Sequence, residues 1–284
     1  MSTTQLMTDD SGLTFEYVHA EETAFLYEEI FTRRSYLQHG VCVAHEGSPV
    51  IVDAGANIGL FALACIQENP AARVFAVEPS PVAFHCLERN LATVSTNCVC
   101  VQKLLQQTPA TGQTLHCYPD APGESTCHPA ERRRQRARLK EHGTMGAAGP
   151  SESDQEEADK VAVPVTTVSE LISVHGLSAI DLLKIDVEGD ELNVLRGIRA
   201  LDWPLIRQVV LEVHDVHNRL DRVLSLLRRH GFQVTWDLQT GGEVDGYVMV
   251  VPSSLCLYYV YATRRNRPTA ESTRIRKRKR AGHA

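Results

Sequence analysis

The sequence predicts an α/β fold, a doubly wound and mostly parallel sheet with antiparallel strands at its C-terminal end. Three observations predict it. Apolar β-branched runs alternate with segments of helical periodicity from Val50 onward. A glycine-bearing turn, Asp53-Ala-Gly55-Ala-Asn57-Ile-Gly59, joins the first such run to the first such helix. The last apolar runs, Phe232 to Leu238, Tyr247 to Val251 and Leu255 to Tyr261, follow one another without a helix between them. Late strands of that kind close a parallel sheet with an antiparallel end.

Each element has its own signal. Val50, Ile51 and Val52 form the run of a strand covered on both faces. Ile58, Phe61, Ala62 and Cys65 then fall on one face of a helix. A second strand, Arg73 to Glu78, leads into Ser80 as an N-cap, with Pro81 in the first turn and Phe84, Leu87 and Leu91 facing inward. Strands are predicted at Cys98 to Leu105 and Thr114 to Tyr118. Residues 119–160 break the pattern and read as an insertion after the third strand region: a loop holding Gly123 to His128, an exposed basic helix (Glu131 to Lys140), and a Gly/Ser/acid-rich linker from His142 to Asp159.

Regularity returns with Val161 to Val165 and the capping box Thr167-Val-Ser-Glu170. Asp181 to Asp186 is a strand, and Leu192, Leu195 and Ile198 face the core from the helix after it. Gln208 to His214 is the next strand, followed by a helix with Leu220, Val223, Leu224 and Leu227 at core spacing that stops at Gly231. The chain therefore divides into a helical cap segment (1–48), a catalytic body (49–263) and a basic tail (264–284).

Composition narrows the class. Apolar content of 43% and charged content of 23% in 284 residues are those of a globular protein with a sizeable core. No apolar window reaches the ~18 residues of a membrane span, and the N-terminus lacks the basic and apolar regions of a secretory signal. The eight cysteines include no CxxC pair and sit mostly in apolar patterns, so reduced, buried thiols and a cytoplasmic setting are expected. The tail from Arg264 carries nine Lys/Arg and one acid, Glu271, a charge of +8 that leaves −14 on the rest. An acidic body argues against nucleic acid as substrate. The tail is expected to be disordered, and Arg274 to Arg280 fits a polyanion tether or a nuclear-import patch as well as a plain solubilising end.

Ligands of such sheets bind beyond the carboxyl ends of the strands, at the switch point. Here the first glycine of a dinucleotide loop is replaced by Asp53. That acid would repel a pyrophosphate but accept from an ammonium group. Glu78 ends the neighbouring strand 25 residues on, where a carboxylate grips ribose hydroxyls. An acid at the turn and another for ribose suit S-adenosylmethionine, which has a ribose and an α-amino group and no phosphate. Asp186 and Glu188 end one strand, Glu212 and His214 the next, and residues two apart share a face. Three carboxylates and an imidazole at one edge have the means for general-base work.

Three stretches, "VDAGANIGLF", "VFAVEPSP…LERNL" and "LLKIDVEGDELNVLRGI", together resemble the FkbM-type S-adenosylmethionine-dependent methyltransferases. The resemblance runs from about Tyr27 to Val260, and "YEEIFTRRSYLQHG" and "PGEST" are similar to members associated with polyketide and peptide assembly lines. It implies a class I methyltransferase sheet of Rossmann-like type. It also implies that Asp53, Gly55, Asn57, Gly59 and Glu78 hold S-adenosylmethionine, and that the acceptor is a hydroxyl of a small molecule or sugar, free or carrier-bound. Ser80 and Asp186 complete the expected cofactor set.

His214 is expected as the base, since a neutral imidazole can accept a hydroxyl proton near neutral pH, oriented by Glu212 or Asp215 with Glu188 alongside. Tyr27, Tyr36 and His39 are candidates to cover the cofactor's methionine end or else to pack a helix. His128 is a lid candidate, and Trp203 and Trp236 read as core. Three alternatives stand beside this reading. They are a metal-assisted reaction with Asp186, Glu188 and His214 around Mg²⁺, a nucleotide-dependent oxidoreductase, and a non-catalytic module tethered by its basic tail.

Overall fold

The protein is seen in a computed structural model that describes residues 4–118, 121–141, 158–239, 241–244, 247–250 and 256–264. The predicted linker up to residue 157 and the tail beyond Arg264, Arg274 to Arg280 included, lie outside the described residues. So do Val251 and Leu255.

A hairpin comes first, β1 (Gln5–Thr8) and β2 (Thr14–Tyr17). Helix α1 (Ala20–Tyr27) follows and runs into a π-helical turn over Glu28–Thr32. Residues 1–48 are thus not helical throughout, as the sequence reading had it. Asp9 Oδ1 accepts from the backbone N–H of Ser11 and Leu13 and closes the hairpin turn, a role read only as polar sequence. Tyr27 donates to Asp9 Oδ2 at 2.7 Å and so fastens this hairpin, far from any cofactor role.

The body contains β3 (Val50–Ala54), α2 (Leu60–Glu68), β4 (Arg73–Val77), α3 (Pro81–Ala92), β5 (Cys98–Val101), β6 (Leu104–Leu105) and β7 (Ala110–Cys117). Helix α4 (Pro129–Glu141) precedes β8 (Asp159–Thr166), α5 (Val168–His175), β9 (Leu182–Ile185), α6 (Glu191–Arg196), β10 (Gln208–His214), α7 (Arg219–Arg229) and β11 (Gln233–Leu238). A hairpin of β12 (Gly241–Val244) and β13 (Tyr247–Val250) then leads to β14 (Leu257–Thr263).

Seven strands form the central sheet in the order β11-β14-β10-β9-β3-β4-β5. All neighbours from β10 to β5 run parallel, and β14 is antiparallel to both β10 and β11. The predicted doubly wound sheet with an antiparallel end is the observed one. The order turns at β3: the chain goes outward through β4 and β5, returns to β9 on the other side, and leaves a crevice at the carboxyl ends of β3 and β9.

One face of the sheet packs on α5, α6 and α7 through residues such as Leu171, Val194 and Val223. The other packs on α2, α3 and the N-terminal segment through Phe15, Phe61 and Leu87. Asn90 of α3 joins the layers: its amide donates to the carbonyls of Glu16 and Ile58, and its Oδ1 accepts from the Glu16 N–H.

Three details depart from the sequence reading. The predicted strand Cys98 to Leu105 is split, and its second half pairs in a separate three-stranded sheet, β6-β8-β7. Tyr247–Val250 pairs within its own hairpin and not with the central sheet. Trp236, expected in the core, lies on the edge strand β11 with 44% of its surface exposed and Arg228 over its ring. Trp203 is buried as expected and stacks on His230. All eight cysteines are unbridged, with Cys42 exposed at the surface.

Candidate active site

The turn after β3 is shaped by close backbone approach. Gly55 has φ +76°, and a Cβ there would stand 1.7 Å from the carbonyl oxygen of Asp186. Only glycine lets the turn lie against the end of β9. Asn57 also has positive φ, and Gly59, at φ +94°, is the N-cap of α2. Lys184 on β9 locks the same turn, donating to the Gly55 carbonyl at 2.9 Å.

Lys184 explains Asp53 as well. The Asp53 carboxylate is fully enclosed and lies 3.2 Å from the Lys184 ammonium. Asp53 therefore supports the turn through Lys184; the direct grip on a cofactor ammonium expected from the sequence does not match its burial. Burial alone would pull the Lys184 ammonium down, but Asp53 and Asp186 outweigh it and hold it above its ordinary range. The signal was present: a lysine inside the apolar run Leu182-Leu-Lys-Ile requires buried carboxylate partners.

Glu78, by contrast, faces the turn. Its Oε2 accepts from the Asn57 N–H and its Oε1 from the Ser80 N–H, each at 2.8 Å. Burial pushes its carboxyl up to about 7, against the pull of those two bonds. Ser80 stands at the start of α3 with a buried side chain, yet its hydroxyl makes no capping bond; its N–H serves Glu78 instead. Asn57 Oδ1 is buried without a partner. Unfilled acceptor positions on Asn57 and Glu78 beside a glycine-lined turn fit the amino acid and ribose donors of S-adenosylmethionine.

A second cluster, expected to face the acceptor, lies one and two strands over. Tyr36 is buried and donates to Asp186 Oδ2 at 2.9 Å, which places it at the end of β9. His39 does not join it, and bonds Asp237 at 2.6 Å on the surface. His214 at the end of β10 is buried, with Nε2 3.3 Å from Glu212 and 3.7 Å from Glu188. Nε2 has no hydrogen-bond partner. Asp215 does not orient the imidazole; it accepts from the Leu220 N–H at the start of α7.

Burial and the neighbouring Asp186 push Glu212 up to about 8. Glu188, at a positive φ of 50°, is held well above the usual range by burial, Asp186 and Glu212. Behind them Glu29 is raised to about 8 by burial and by Glu212, and it accepts a short bond from the Tyr259 hydroxyl. Gln239 donates to that hydroxyl at 2.8 Å. Glu29, Tyr259 and Gln239 had no sequence signal, since nothing local joins residues 210 positions apart.

The insertion closes over the site. Gly123 donates to Glu22 Oε1 at 2.7 Å, and a Cβ on it would stand 2.8 Å from Asn57 Nδ2, so the loop lies directly on the cofactor turn. Burial raises Glu22 to about 7. Thr126 donates to the Glu188 carbonyl, and His128, the lid candidate, bonds Asp190 at 3.0 Å. Helix α4 was expected to be exposed, but only one side of it is. Glu131 pairs with Arg219, Arg132 and Arg136 with Glu124, and Gln135 Nε2 lies 2.7 Å from His214 Nδ1, while Arg133 and Arg134 stay exposed. Its buried face is charged, so no apolar period announced it. Arg219 ties this face to the sheet by donating to the His214 carbonyl at 2.5 Å.

Sequence comparison gives the family. The profile of the methyltransferase FkbM domain matches residues 53–234, more than half of the chain. The chain belongs to the FkbM methyltransferase family. It is 40% identical to 31-O-demethyl-FK506 methyltransferase FkbM of Streptomyces tacrolimicus over 79% of this chain and 87% of that one. It is 35% identical to methyltransferase sdnD of Sordaria araneosa, over 79% of this chain and 88% of that one. A solved FkbM methyltransferase from Methylobacillus flagellatus KT superposes with a TM-score of 0.46 at 14% identity, covering 84% of this chain and 52% of that one.

This FkbM methyltransferase uses S-adenosylmethionine as its methyl donor. Membership removes the oxidoreductase alternative. Among the described residues no group of three His, Cys, Asp or Glu side chains is arranged to hold a metal ion, and no helix is long and apolar enough to cross a membrane.

Proposed function

We propose that the protein methylates a hydroxyl oxygen of a small molecule, with His214 as the general base. One observation carries the reading: the buried, unpartnered Nε2 of His214 stands between Glu188 and Glu212 at the carboxyl edge, two strands from the cofactor turn. The name of the Streptomyces relative, an O-demethyl substrate, supports oxygen as the nucleophile.

When bound, S-adenosylmethionine supplies an electrophilic methyl group. Asn57, Glu78 and the Gly55 turn would hold it, and Asp186 with Tyr36 would border the passage toward His214. His214 Nε2 takes the proton of the acceptor hydroxyl as the oxygen attacks. Glu212 and Glu188 are crowded toward their neutral forms at rest, and an imidazolium beside them lowers their pKa again. The proton stays on Nε2, which the carboxyl groups of Glu212 and Glu188 face at 3.3 and 3.7 Å. The loop over Asn57 and the helix over His214 keep water out and position the oxygen, the largest part of the task.

Acceptor identity rests on chemistry alone: a polyketide, peptide or sugar hydroxyl, free or carried on a larger protein. Incubating the protein with methyl-labelled S-adenosylmethionine and a panel of hydroxylated macrocycles, sugars and phenols tests it. Label recovered as a methyl ether supports the reading, and transfer only to nitrogen or carbon nucleophiles overturns it.

A further inference from the structure

The contact between Gln135 and His214 goes beyond the choice of base. Gln135 belongs to α4, in the segment between β7 and β8, and it reaches a side chain 79 residues away. Among the side chains described on α4, the fully buried one is that of Arg132, and it lies over the Tyr118 ring and bonds Glu124. The helix is seated by ion pairs and by this single amide–imidazole bond, not by an apolar face.

A neutral imidazole carries one proton, and the partner of one nitrogen decides which. With the Gln135 amide nitrogen at Nδ1, as found at 2.7 Å, Nδ1 accepts and the proton sits on Nε2. Nε2 then points its proton toward Glu212 and Glu188 and cannot accept another. A half-turn of the same amide presents its carbonyl oxygen, moves the proton to Nδ1 and leaves the Nε2 lone pair open. Both states use one side chain and one distance. Withdrawing α4 removes the partner altogether.

We propose that Gln135 is a positioning residue that sets the tautomer of His214: in the arrangement found it keeps the proton on Nε2 and the base idle, and turning its amide over frees Nε2 to accept. This rests on the reading of His214 as the base. A base without its partner samples both tautomers, whereas the Gln135 amide fixes one of them by its orientation.

Nitrogen-15 spectra of the histidine rings in the full chain, with S-adenosylhomocysteine added, test this. His214 is assigned by its loss in His214→Gln. In the wild type His214 should give two well-separated ring nitrogen signals, with the proton on Nε2. In Gln135→Ala the two signals should draw together toward a tautomer average. In Gln135→Glu, whose carboxylate only accepts, the proton should move to Nδ1. A His214 pattern unchanged in both variants overturns the proposal, provided circular dichroism shows both folded. Loss of the base reading is separable: if His214→Gln keeps full methyl transfer, His214 is not the base, whereas the ring signals still report whether Gln135 governs the tautomer.

Discussion

The proposed cofactor side and the proposed acceptor side of this site are held together by different means. The cofactor side is built within one short stretch, Asp53 to Ser80, and is braced by Lys184 and the Asp186 carbonyl at the crevice. Its contacts are backbone bonds and a buried ion pair on strands covered on both faces. The acceptor side gathers Glu29, Gln135, Glu188, Glu212, His214 and Tyr259 from distant parts of the chain. Its cover is seated by charges. A fold can thus fix a cofactor with its core and still leave the place where substrates differ to detachable polar links.

The sharpest break of this contrast is Gly55→Ala. The added carbon has no room beside the Asp186 carbonyl, and both partners are backbone, so strain cannot be relieved by a rotamer. Expected destabilisation is on the order of 4 kcal/mol or more, with cofactor binding lost. Thermal melts and calorimetry with S-adenosylhomocysteine check it; wild-type values would show that the turn does not depend on close approach.

On the other side, His214→Ala should lower turnover by ~10²- to 10⁴-fold, the range of a general base, while cofactor affinity stays near wild type. Equal loss of both would mean that the two sides are one structural unit. Glu78→Ala should do the reverse. Cofactor binding should weaken by about 1.5–3 kcal/mol, the range for a hydrogen bond to a charged group, and the melting temperature should fall as well, because the Asn57 and Ser80 N–H groups lose their acceptor. Titration calorimetry reads it directly.

The smallest expected effect concerns pH. Glu29 has a folded-state pKa of about 8 against an ordinary 4.5. The folded state therefore keeps a proton that the unfolded chain has lost across that window, and stability falls as pH rises through it. Glu29→Gln keeps the size and bonding of the neutral carboxyl and removes the titration. Its melting temperature should drop less than the wild type's between pH 5 and 8.5. Identical slopes would place the pH response elsewhere, with Glu212 or Glu78 the next groups to change.

What the sequence disclosed follows the same division. Val50 to Val52, the Gly55 turn and Glu78 were readable because apolar runs, glycine and a strand-ending acid act locally. His214, Glu212 and Glu188 were found by the rule that alternate strand residues share a face, and the structure brings them together. Asp53 was assigned to the ligand because an acid in place of the loop's first glycine can accept from an ammonium group, and the lysine that pairs with it lies far along the chain, on β9. Gln135 and Glu131 were passed over because a helix seated by arginines and a glutamine has no period to detect. Asp9 escaped because a turn closed by one carboxylate looks like any polar stretch.

Arg264, counted with the basic tail in the sequence, belongs to the body. It donates to the carbonyls of Ile206, His230 and Trp203 and lies over the Phe232 ring. It follows directly on β14, whose end pairs with the start of β10, so it sits at the amino edge of the sheet. Seven residues of strand, about 20 Å, separate that edge from His214. Mechanically, Arg264 is a strain relief. A pull applied to the chain beyond it loads three hydrogen bonds together before it can peel β14, and it pulls from the side opposite the mouth. A molecule anchored to a surface or a bead through its C-terminus would hold its sheet and present its open edge outward.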